Sequence, residues 1–325
     1  MNLSLEFLER CSAESGYQVS PLEKVVRLGE IAADIVRHPF LGEALVLKGG
    51  SALNLCYGSP SRLSVDLDYN YVAHVEREGM LADRSRVEDA LVDLAKRHKY
   101  QVQKSADAFA GRKIFLRYRS VVGQEERIEV DLNFLFRLPI SDAQKLLIWQ
   151  PGGLDQPLVW VVGLDELLTG KLLAFLDRCA ARDAWDIVHL SEASVQMLQS
   201  SEFRIRFIAL SAILDKPLQT YTYGRLRTFL TDRVIAEQLV PMLSSGLKFR
   251  PDELAEKAWA RVAPFLALQA NEEKYLACIH DGILRLDLLF PEDATEAARL
   301  ARHPAIKWKI KNVRSYQSRK NHKSK

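Results

Sequence analysis

The run from Lys48 to Asp68, KGGSALNLCYGSPSRLSVDLD, limits what this chain can fold into more than any other. An apolar stretch, Leu45-Val46-Leu47, meets the pair Gly49-Gly50. The small hydroxyl of Ser51 follows, and the run closes on two acids one residue apart. In Val65-Asp66-Leu67-Asp68-Tyr69 the side chains of a strand alternate, so Asp66 and Asp68 turn to one side and Val65, Leu67 and Tyr69 to a core. Two carboxylates on one face repel. A hard divalent cation relieves that repulsion, because it takes oxygen ligands from one or two carboxylates together with phosphates. The Gly-Gly turn lets backbone approach a ligand closely, and a helix opening at Ser51 offers its first N–H groups to an anion. Taken singly, these features are an ordinary turn and a solvated strand face. Their order points to phosphate chemistry.

The remaining sequence bounds the setting. A length of 325 residues allows two domains and a sizeable core. The 48% apolar and 27% charged content is that of a soluble globular protein. The start, MNLSLEFLER, lacks the basic region and apolar run of a secretory signal, and no apolar segment is long enough to cross a bilayer, so a cytoplasmic protein without membrane contact is expected. Cys11, Cys56, Cys179 and Cys278 are scattered, without the paired spacing of a zinc site, and read as reduced, mostly buried thiols.

Along the chain, Ser20-Pro21-Leu22-Glu23 reads as a capping box ahead of an apolar stripe, Val25, Val26, Leu28, Ile31, Ala32 and Ile35, that ends at His38-Pro39. Leu45 to Leu47 predicts the first core strand, Ser51 to Tyr57 a short helix, and the aspartate-bearing run a second strand. Helical spacing follows from Arg84 to Lys99, then strands over 100–104, 114–119 and 127–134. In the last of these Ile128, Val130, Leu132 and Phe134 share one face, which leaves Glu129, Asp131 and Asn133 on the other. Asp131 is a candidate third carboxylate, with Glu129 as its substitute. The loop from Pro139 to Pro157 reads as a boundary closed by a strand over 159–162, and beyond it the chain is helical. The expected domains are therefore 1–162, a helical domain over 163–302, and a basic tail over 303–325. That tail carries eight lysines and arginines and no acid; set against the net charge of +3, it leaves the preceding residues at −5.

A second constellation opens the helical half. On a continuous helix Lys171, Arg178 and Arg182 recur at steps of seven and four and Asp186 continues the stripe, with Asp183 beside it. The row is either a set of i, i+4 ion pairs or a basic and acidic wall for a phosphate ligand.

KGGSALNL, RLSVDLD and KLLAFLDRCAARDAWDI together resemble the signature segments of the AbiEii/AbiGii nucleotidyltransferase toxins, the toxin half of type IV toxin-antitoxin pairs, which includes the MenT toxins. The resemblance runs from Lys48 to Ile187. It implies an α+β, polymerase-beta-like nucleotidyltransferase fold, a mixed sheet with helices followed by an α-helical domain that completes the cleft. It also implies an NTP substrate, Mg²⁺ or Mn²⁺, a cognate antitoxin protein, and transfer of a nucleoside monophosphate to an RNA acceptor such as the 3′ end of tRNA, which stops translation. Carried over by position, Asp66, Asp68 and Asp131 hold metal. Gly49, Gly50, Ser51, Ser64 and Arg62 bind the nucleotide, with Lys171, Arg178 and Arg182. Lys171 meets the β- or γ-phosphate and Asp186 is the essential acid on the helix.

Two other readings compete: a nucleotidyltransferase that modifies a protein or small-molecule hydroxyl, and a non-catalytic nucleic-acid- or antitoxin-binding protein on the same fold. The basic tail, with Trp308 and Tyr316 among its cations, suits a nucleic acid, and equally suits a disordered solubilising end.

Overall fold

The strand spacing read above closes into one mixed, seven-stranded sheet. The structure is a computed structural model and describes residues 3–323, with side chains described through residue 320. Strands β1 (Leu45–Lys48), β2 (Asp66–Tyr71), β3 (Gln101–Lys104), β4 (Gly111–Arg119), β5 (Glu125–Asn133), β6 (Gln144–Leu147) and β7 (Leu158–Val161) lie in the order β3-β4-β5-β2-β1-β7-β6. The β2–β5 and β1–β7 pairs are parallel and the others antiparallel. β6 falls inside the span read as a loop. It is a short, largely exposed edge strand whose side chains carry no alternation to reveal it.

One face of the sheet is apolar because alternate residues of each strand turn the same way. Leu67, Tyr69, Ile128, Val130, Leu132 and Phe134 are buried, as the period of two predicts. The helix Val19–Arg37 covers part of that core with Leu22, Val25, Val26, Leu28, Ile31, Ala32 and Ile35. Its start differs from the expected capping box: the cap is Gln18, with no side-chain hydrogen bond. Ser20 Oγ donates instead to Glu126 Oε1 at 3.0 Å, and Glu23 is buried, accepting from Arg27 and from the Val121 N–H. With both side chains engaged elsewhere, neither is left to close a box.

The chain divides into two compact units, Met1–Leu167 with Thr231–Pro251, and Leu168–Leu230 with Asp252–Lys325. The returning segment belongs to the first unit by its hydrogen bonds: Leu63 N–H donates to the Met242 carbonyl at 2.8 Å and Ser245 N–H to the Gly16 carbonyl at 2.7 Å.

The second unit's regular elements are helical among the described residues. Phe265 meets Phe203 edge to face and Phe207 at a tilt in its core, Tyr275 OH donates to the Ala209 carbonyl, and Arg204 pairs with Glu272. The span read as a basic tail is mostly the helix Pro304–Lys323, with Ala305, Ile306 and Ile310 buried. The Lys323 side chain and Lys325 lie outside the described residues. No described helix is long and apolar enough to cross a membrane.

Candidate active site

Strand register assembles charges that lie far apart in the chain. β1 pairs Lys48 with Asp68, β2 pairs Asp68 with Asp131, and β4 pairs Lys113 with Asp131. Directly paired residues share a face, so Lys113, Asp131, Asp68 and Lys48 form one row across four adjacent strands, about 14 Å from end to end. The adjoining row holds Glu129 opposite Asp66. The middle of the face is thus a block of acids and its ends are lysines. Lys113 Nζ hydrogen-bonds Glu129 and lies 3.6 Å from Asp131 Oδ2. Burial pushes the Asp131 carboxyl up; Lys113 and Lys48 oppose the shift, while Asp68 and Glu129 add to it.

The glycine pair is built against this acid block. The helix opens at Gly49, two residues before the expected Ser51, and runs Gly49–Cys56. Gly49 has φ +73°, and a Cβ there would lie 2.1 Å from Asp68 Oδ2. A Cβ on Gly50 would lie 2.9 Å from Ser64 Oγ and 3.0 Å from Arg62 Nη2. Only glycine permits both the left-handed backbone and the close approach. The turn therefore has Asp68 on one side and Ser64 with Arg62 on the other. The helix's first turn has no side-chain cap, so its leading N–H groups are suited to an anion.

Several side chains sit otherwise than their spacing implied. The Ser51 hydroxyl is fully buried and donates to the Asp66 carbonyl. Ser51 can therefore offer a phosphate its backbone N–H but not its hydroxyl. Ser64 and Arg62 are also buried, and Arg62 Nη1 donates to the Leu63 carbonyl at 2.9 Å.

Four residues of this unit join the site without a sequence signal strong enough to name them. Lys48 and Lys113 enter through register alone. Asn70 continues the alternation of Asp66 and Asp68, and its Nδ2 donates to Glu166 Oε1 at 2.9 Å. Glu166 Oε2 accepts from Ile140 N–H at 2.8 Å. Asn70 Oδ1 is buried with no hydrogen-bond partner. Burial raises the Glu166 carboxyl to about 7 against the pull of its hydrogen bonds. Between the unfolded value of 4.5 and about 7 the folded chain therefore holds more protons than the unfolded one, and stability falls as pH rises through that window. The loss amounts to roughly 3 kcal/mol when complete. Melting Glu166→Gln beside wild type from pH 5 to pH 8 checks this, with the variant expected to lack that part of the pH dependence.

Carboxylate oxygens are hard donors, so Asp66, Asp68 and Asp131 suit Mg²⁺ or Mn²⁺ better than a soft metal. Among the described residues no three His, Cys, Asp or Glu side chains converge as a ready-made cage. Mg²⁺ asks for less: one or two carboxylates, with water and phosphate oxygens completing its shell. The residues fit the ion.

The row from Lys171 to Asp186 is carried by two successive helices. The helix Leu164–Arg178 ends before Cys179, which has φ +50°, and a new one runs Ala181–Val188. The break brings together residues that helical spacing would merely have aligned. Lys171 Nζ lies 2.9 Å from Asp183 Oδ1 and 2.7 Å from Asp186 Oδ2, and all three side chains are buried. Arg178 Nε and Nη2 grip the two Asp183 oxygens at 2.6 and 3.0 Å. Burial pushes the Asp183 carboxyl up, but Lys171 and Arg178 together hold it well below the usual range. Arg182 is half-buried on the same short helix.

A family model described as nucleotidyl transferase AbiEii toxin, type IV TA system, matches residues 33–263. Among solved structures, the MenT4 nucleotidyltransferase toxin of Mycobacterium tuberculosis is 18% identical, the match covering 92% of this chain and 99% of that one, with a TM-score of 0.58. An antigenic nucleotidyltransferase-like protein from Paracoccidioides brasiliensis is 17% identical over 73% of this chain and 93% of its own, with a TM-score of 0.34. No curated protein matches significantly. The mixed sheet with its helices is the polymerase-beta-like nucleotidyltransferase fold. The chain belongs to the AbiEii family of nucleotidyltransferase toxins of type IV toxin-antitoxin systems.

Proposed function

We propose that this chain transfers a nucleoside monophosphate from an NTP to an RNA acceptor, the 3′ end of tRNA, and so blocks translation until a cognate antitoxin protein opposes it. The observation that carries the reading is the acid block of β2 and β5 flanked by Lys48 and Lys113, with the Gly49 turn packed on Asp68. That is a place for a polyanion whose charge must be met by both a cation and backbone N–H groups.

In the reaction a 3′-hydroxyl oxygen attacks the α-phosphorus of the NTP and gives up its proton to solvent, a new P–O bond forms, the bond to the β-phosphate oxygen breaks, and pyrophosphate leaves with that electron pair. Asp66, Asp68 and Asp131 would hold Mg²⁺ or Mn²⁺, which when bound activates the attacking oxygen and offsets leaving-group charge. The N–H groups of Gly50 and Ser51 would bind phosphate oxygens. Arg62 and Ser64 would fix the glycine turn. The remaining motif residues, Lys171, Arg178, Arg182 and Asp186, lie in the second unit, where the Lys171 charge is already met by Asp183 and Asp186.

Incubation with each of the four α-labelled NTPs, total tRNA and Mg²⁺ tests this. Label is expected in RNA, dependent on one or more of the nucleotides. Label confined to protein or small molecules would replace the acceptor, and no transfer with any nucleotide would sink the enzymatic reading.

A further inference from the structure

The helix Pro304–Lys323 is amphipathic in an unusual sense: its inner face is apolar and its outer face is cationic and aromatic. Ala305, Ile306 and Ile310 are buried, and Val313 and Gln317 continue that face half-buried. Two of its cations serve this packing. Lys309 Nζ donates to the Leu214 carbonyl at 2.6 Å, and Arg314 Nε donates to the Gly282 carbonyl at 2.8 Å. Lys311 and Arg319 are exposed, as are Trp308, at 39%, and Tyr316, at 70%.

At 100° per residue Trp308, Lys311, Ser315 and Arg319 fall within an arc of about 80°, and the line from the first to the last is about 16 Å long. The helix holds no acid, so its exposed cations Lys311 and Arg319 meet no opposite charge within it. A polyanion supplies that charge. Exposed tryptophan and tyrosine among the cations narrow the choice, because aromatic rings stack on unpaired bases while cations meet the phosphates beside them. An acidic protein surface would use the cations and leave the rings in water.

We infer that the outward face of this helix, Trp308 with Lys311 and Arg319, binds the backbone and unpaired bases of the RNA acceptor. The assignment rests on the reading that the acceptor is RNA. It makes the helix a substrate-binding element, whose loss raises KM for RNA.

Fluorescence anisotropy of the full-length protein with end-labelled tRNA, from about 0.05 to 0.2 M KCl, tests it. In Lys311→Gln/Arg319→Gln the slope of log Kd against log salt is expected to fall in magnitude by about 1.4 to 1.8, with affinity about tenfold lower. Trp308→Ala is expected to cost about tenfold in affinity at an unchanged slope. Ile306 and Ile310 are untouched, so the melting curve by circular dichroism should not move. Wild-type affinity and slope in both variants would overturn the assignment, as would variants that lose poly-glutamate binding and keep tRNA binding. A wild type that binds tRNA through this face yet transfers no nucleotide would fail the transferase reading and support the helix assignment. Variants that transfer with wild-type KM for tRNA would do the reverse.

Discussion

Replacing Asp68 with asparagine is expected to lower nucleotide transfer by about 10³-fold or more while leaving the melting temperature close to that of wild type. The substitution keeps the shape of the side chain, so the close packing of Gly49 against it survives. It removes one negative charge from between Asp131 and Lys48. Without the cation, loss of that charge relieves repulsion within the acid block, and stability should hold or rise slightly. With the cation, it removes a ligand from the middle of the row. Parallel assays of label transfer and thermal melting separate the two effects. A loss of activity accompanied by a large fall in melting temperature would mean that Asp68 is structural.

The second large effect is expected at Lys171. Asp183 and Asp186 are 1% and 0% exposed, and Lys171 is the amine that both contact. Lys171→Met leaves two buried carboxylates short of a cation, with Arg178 still bound to Asp183. Breaking a buried pair by removing one partner costs about 3–5 kcal/mol, because the remaining charge is stranded away from water. Urea unfolding should report a loss of that size in the second unit, and Asp186→Asn in the Lys171→Met background should recover part of it. A loss under about 1 kcal/mol would be the value of a solvated surface pair and would contradict the burial.

Much of this was legible in local sequence. The alternation Val65-Asp66-Leu67-Asp68 and the run Ile128 to Phe134 put the right residues on each face, because a period of two depends only on the strand being a strand. Gly49-Gly50 marked the turn, and the resemblance led to Lys171 and Asp186. Register was not legible. Nothing local says that Asp68 lies beside Asp131 or that Lys113 and Lys48 end the row, since those neighbours are chosen by long-range pairing. Side-chain commitments were also hidden: the Ser51 hydroxyl went to the Asp66 carbonyl, and Ser20 to Glu126, because a buried polar group takes the partner that folding places near it. The contacts made across the break at Cys179 were likewise hidden: that break folds Asp183 and Asp186 onto Lys171.

The central claim is that the acid block of the first unit carries out nucleotidyl transfer. It is tested most directly by supplying the NTP labelled at the α-phosphate or at the γ-phosphate and following label into RNA with wild type and Asp68→Asn. With wild type, α-label is expected in RNA and γ-label in pyrophosphate; with Asp68→Asn, RNA is expected to stay unlabelled. Appearance of γ-label in the acceptor, or undiminished α-label with Asp68→Asn, would contradict it.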